Sequence, residues 1–109
     1  MSKASFRRLV QLQGYEITLK RVDGSTTTEV KVRAAQSMWD QKSGIDEAVQ
    51  EMTAYNVCYD DLINADFPVP VKRGDRIVDD VDGKIRNIVT AHPLKYHGEV
   101  IGYRLETRG

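Results

Sequence analysis

The chain has 109 residues, 40% of them hydrophobic and 29% charged, with sixteen Lys and Arg against sixteen Asp and Glu. That length suits a single domain, residues 1–109, with one core. No apolar run approaches the ~20 residues that cross a bilayer, the even charge argues against histone-like packaging of nucleic acid, and the lone Cys58 excludes an intramolecular disulfide or a multi-cysteine zinc site.

A reducing, cytosolic compartment is the simplest fit to this cysteine usage. The basic N-terminus lacks the apolar stretch of a secretory signal. Residues 2–13 read as a short helix, because Phe6, Leu9, Val10 and Gln13 fall at i, i+3, i+4 and i+7 before Gly14. The period then changes to two. Tyr15, Ile17 and Leu19 alternate with polar residues, as do Val30, Val32 and Ala34 after the turn residues Asp23-Gly24-Ser25, which predicts an antiparallel hairpin with one wet face.

Residues 36–53 break the alternation and read as an irregular or partly helical insertion. Ser43 is placed to cap a turn or two through Ile45, Ala48, Val49 and Met52, while Ser37 to Lys42, with the only tryptophan, fits no period. Long irregular insertions in a compact domain are usually functional or mobile rather than filler. A third strand is expected at Tyr55, Val57 and Tyr59, then a helical turn or Asx-rich loop over 60–66. Phe67-Pro68-Val69-Pro70-Val71 is held extended by its prolines. The rest reads as a β-meander. Arg76-Ile77-Val78 leads to a hairpin turning at Asp82-Gly83, with a bulge near Arg86-Asn87 to bring Ile85 and Ile88 inward. A loop from His92 to Gly98 then precedes a last strand through Ile101, Tyr103 and Leu105. Together these elements predict a mostly β fold: a small antiparallel β-barrel or sandwich with a short N-terminal helix and a long irregular middle loop.

No group of residues points to catalysis, a cofactor or a metal. His92 and His97 would need Cys58 and a carboxylate to hold zinc, and no elbow marks Cys58 as a nucleophile. Asp79, Asp80 and Asp82 lack the alternate oxygen ligands of a calcium loop, since Val78 takes one of the positions, and read as a solvated acidic tip. Arg73-Gly74-Asp75 reads as a tight turn. Tyr55, Tyr59 and Tyr103 share strand positions with Val57, Ile101 and Leu105, so they are expected in the core rather than as stacking platforms for an oligonucleotide.

The order of elements resembles the small head–tail joining, or head-completion, proteins of tailed bacteriophages. The likeness is strongest over residues 67–109, in Lys72-Arg73-Gly74-Asp75-Arg76-Ile77-Val78, Asp82-Gly83, Ala91-His92-Pro93-Leu94 and Ile101 to Gly109. The resemblance implies a non-enzymatic virion protein of the head–tail neck, assembled in the bacterial host cytoplasm. It would form a sixfold or twelvefold ring of its own copies, bind the portal or adaptor and tail proteins, and let DNA pass without sequence-specific contacts. Met38, Trp39, Met52, Arg73 and Asp75 are the expected subunit or partner interface. The alternatives are a tail terminator or minor tail protein and, from another class, a single-stranded nucleic-acid-binding barrel.

Overall fold

A computed structural model of the protein describes residues 2–42 and 49–108. Within them lie helix α1 (Lys3–Gln13), strands β1 (Tyr15–Asp23), β2 (Thr26–Lys42) and β3 (Val49–Cys58), helix α2 (Tyr59–Asn64), and strands β4 (Arg76–Asp79), β5 (Ile85–Tyr96) and β6 (Glu99–Arg108). The strands close into an antiparallel barrel in the order β1-β2-β3-β6-β5-β4, with β4 pairing back onto β1.

The register fixes how the barrel is staggered. From Glu29 of β2 the ladder runs through Lys20, Arg76, Asn87, Arg108 and Met52 and returns to β2 at Trp39, ten residues further along. With ~3.3 Å per residue and ~4.8 Å between strands, that stagger tilts the strands by roughly 50°. Such a barrel needs long strands, and two of its hairpins overshoot the closed part.

Alternation decides what fills it. Ile17, Leu19, Val32, Ala34, Tyr55, Val57, Ile77, Ile88, Tyr103 and Leu105 form the core. Leu62 of α2, with Phe67 and Val71 of the crossover, covers the end where β3 stops and β4 starts. Ser2 caps α1, its hydroxyl accepting from the Ser5 amide at 3.1 Å. Phe6 and Val10 pack α1 on the barrel's outside, against Ala35, Cys58 and Ile101. Gly102 makes this docking possible, because a Cβ there would strike the Phe6 ring and the Val57 carbonyl.

Several expectations are corrected. The stretch 36–53 is not irregular on its described flanks: β2 continues to Lys42 and β3 begins at Val49, paired from Lys42–Val49 to Ala34–Val57. Pairing supplies the order that the side-chain pattern does not announce. The helix expected from Ser43 falls largely on 43–48, outside the described residues; its last positions, Val49 and Met52, are in β3. Tyr59 starts α2 rather than ending a strand. The loop from His92 to Gly98 shrinks to His97-Gly98, whose φ values of 51° and 79° make a type I′ turn between Tyr96 and Glu99. Pro93 is tolerated inside β5 because, among the described residues, that strand's other edge is unpaired beyond Ile88. The bulge lies between Ile88 and Thr90 instead of at Arg86-Asn87. Ile85 accordingly faces solvent and Arg86 faces in.

Candidate functional site

Two buried charge networks and one protruding ribbon are the distinctive features of this barrel. The first network fills the end where β1 starts. Asp79 shares the inward face of β4 with Ile77, and only 1% of it is exposed. Its Oδ2 accepts hydrogen bonds from the hydroxyls of Tyr15 at 2.6 Å and Tyr55 at 2.8 Å, and its Oδ1 accepts from the Val81 amide at 2.9 Å. Arg86 lies alongside, 3.5 Å from Asp79, donating to the Tyr55 hydroxyl at 3.1 Å and to Asp82 at 2.6 Å.

The electrostatics follow from this wiring. Burial alone disfavours the Asp79 carboxylate, but hydrogen bonds from Tyr15, Tyr55 and the Val81 amide outweigh it and hold the carboxyl below the usual range. Burial, then the bond to Asp79, pushes the Tyr55 and Tyr15 hydroxyls up, so both stay neutral donors. The aspartates are therefore no uniform solvated tip: Asp79 is internal, Asp80 exposed, and Asp82 bound to Arg86. The turn is also wider than Asp82-Gly83, with the Asp79 amide bonded to the Lys84 carbonyl and Gly83 at φ 72°. With its carboxylate oxygens engaged by these donors, the network ties β1, β3 and β4 to Arg86 of β5.

The second network locks the crossover. Arg21 donates to both carboxylate oxygens of Asp75, at 2.8 and 2.7 Å, and to the Pro70 carbonyl at 2.8 Å. Asp75 also accepts from the Lys72 amide at 3.0 Å, and the guanidinium sits 5.0 Å over the Phe67 ring. Asp75, one of the residues expected at an interface, is 2% exposed and latches the crossover to Arg21. Arg73 remains exposed at the turn corner beside Gly74, whose φ is 98°.

Met38, Trp39 and Met52, also expected at an interface, come together at the base of a ribbon. Trp39 lies opposite Met52 and Met38 opposite Thr53. The β1 ladder leaves β2 at Ala34, and the β6 ladder leaves β3 at Met52. Residues 40–42 and 49–51 therefore form a two-stranded extension paired only with itself among the described residues.

The histidines and Cys58 are not brought together. His92 meets Glu106 at 3.1 Å, His97 sits in the β5–β6 turn, and Cys58 is buried under Phe6 with its thiol pushed up to about 11 by burial. Among the described residues no cluster of three His, Cys, Asp or Glu is placed to hold a metal. The rings of Tyr55 and Tyr103 are buried, as the alternation predicts. Sequence reasoning missed Arg86 and Arg21. The available signal was parity: Asp79 is two residues from Ile77, and Arg86 two from Ile88, on strands with one dry face. No family model matches the chain, and no curated protein matches it.

Proposed function

We propose that this chain is a structural subunit of a phage head–tail neck, assembling as a ring between the portal or its adaptor and the tail. The observation that carries the reading is the β2–β3 ribbon, which extends past a closed barrel with both outer edges unpaired among the described residues. A closed barrel hides its strand edges, and unpaired backbone invites pairing with another chain. A ring needs a heterologous contact on every subunit, which one projecting arm on a rigid body supplies. The resemblance over residues 67–109 supports the same assignment.

The test is removal of residues 37–51 in a phage that depends on this protein. Heads and tails should then accumulate unjoined under negative stain, while the purified variant keeps the β-sheet circular dichroism of the barrel. Normal joining by the truncated protein would sink the proposal. The single-stranded nucleic-acid alternative gains nothing from the buried Tyr55 and Tyr103.

A further inference from the structure

We propose that the outer surface formed by β1, β4, the start of β5 and the C-terminal end of β6 binds the phosphate backbone of duplex DNA. The inference does not rest on the neck assignment, because it concerns what the free subunit does with DNA.

The register lines up Lys20, Arg76, Asn87 and Arg108 in one row across four adjacent strands. Their chain neighbours Leu19, Ile77, Arg86, Ile88 and Thr107 are buried, so the row lies on the outer face. Lys72 and Arg73 stand at the turn that leads directly into Arg76. At ~4.8 Å between strands, the row makes a cationic strip about 15 Å wide.

Among the described residues, most charges on this strip have no counter-charge in contact. Lys20 pairs with Glu29 at 3.3 Å. Among the described residues, no carboxylate lies within 4.0 Å of the charged groups of Lys72, Arg73, Arg76 or Arg108. The one acidic residue of the turn, Asp75, is spent on Arg21.

The ligand class follows from what accompanies the cations. Single-stranded nucleic acid would require exposed aromatic rings beside the groove. Among the described side chains Lys20, Arg76, Asn87 and Arg108 have no exposed aromatic in their row, and the exposed Tyr96 is at the distant β5–β6 turn. Guanidiniums and an amide on a rigid sheet suit phosphate oxygens, which carry no sequence information.

Fluorescence anisotropy with a labelled duplex of about 30 base pairs tests the proposal on the full chain. Binding should fall in the range of roughly 10–100 μM at low salt and weaken with a log–log salt slope of about −3. Arg76→Gln and Arg108→Gln should each weaken binding severalfold and reduce the slope by about 1, with thermal midpoints unchanged. Lys95→Gln, on the overshooting hairpin, should bind as the parent does. Absence of binding at about 20 mM salt, equal binding by the Arg variants, or tighter binding of a single strand of equal length would each overturn it. So would competition by polyglutamate as effective as by duplex, which would mark the strip as a seat for an acidic protein.

Discussion

At the scale of single residues, the barrel depends on charges placed where the pattern leads one to expect none. Asp79 and Arg86 are both internal, and each is tolerated because partners meet it: two tyrosine hydroxyls and an amide for the carboxylate, Asp79, Asp82 and Tyr55 for the guanidinium. Removing one member of such a group leaves the other buried and unmatched. Asp79→Asn should therefore destabilise the fold by about 2–4 kcal/mol in urea denaturation. The pH dependence has a defined sign. The folded-state value of Asp79 is lowered, so its contribution is fully present above the unfolded carboxylate value near pH ~4 and is lost as pH falls through the folded value. The parent should lose stability on acidification through this window more steeply than Asp79→Asn, and an identical acid limb would refute the assignment. Cys58 gives a simpler test. With its thiol buried and pushed up to about 11, it should react with Ellman's reagent at pH 8 only as fast as the protein opens.

Among elements, the docking of α1 is the contact most open to attack. The helix buries only Phe6 and Val10 against the barrel, and one of its seats is a missing side chain at Gly102. Gly102→Ala has to displace either the Phe6 ring or the backbone of β3. We expect a loss of about 1–3 kcal/mol and faster amide exchange in α1 than in β3, measured by hydrogen exchange. Loss of protection spread evenly over the barrel would contradict the seating described. The helix itself was legible from the spacing of Phe6, Leu9 and Val10, and the hairpin of β1 and β2 from strict alternation about Gly24. The span of β5 was not, because Pro93 and two histidines look like a loop unless the open outer edge of the strand is known.

On the scale of the whole molecule, local pattern and closed topology divide the determinants. Local pattern suffices to show that the chain is mostly β, that residues 2–13 form a short amphipathic helix, and that Ile17, Leu19, Tyr55, Val57, Tyr103 and Leu105 fall on a dry face. These follow from periods of 3.6 and 2, which act within a few neighbouring residues. The closed fold is needed to know that β4 returns to β1, that the stagger is ten residues, and that residues 40–42 and 49–51 join as a ribbon. It also decided that Asp75 and Asp79 are internal while Arg76 and Arg108 share a row across the outside. Each of these depends on register between strands distant in the chain. A shift of one residue would exchange the inner and outer faces, and no local period reports which register the closed barrel takes.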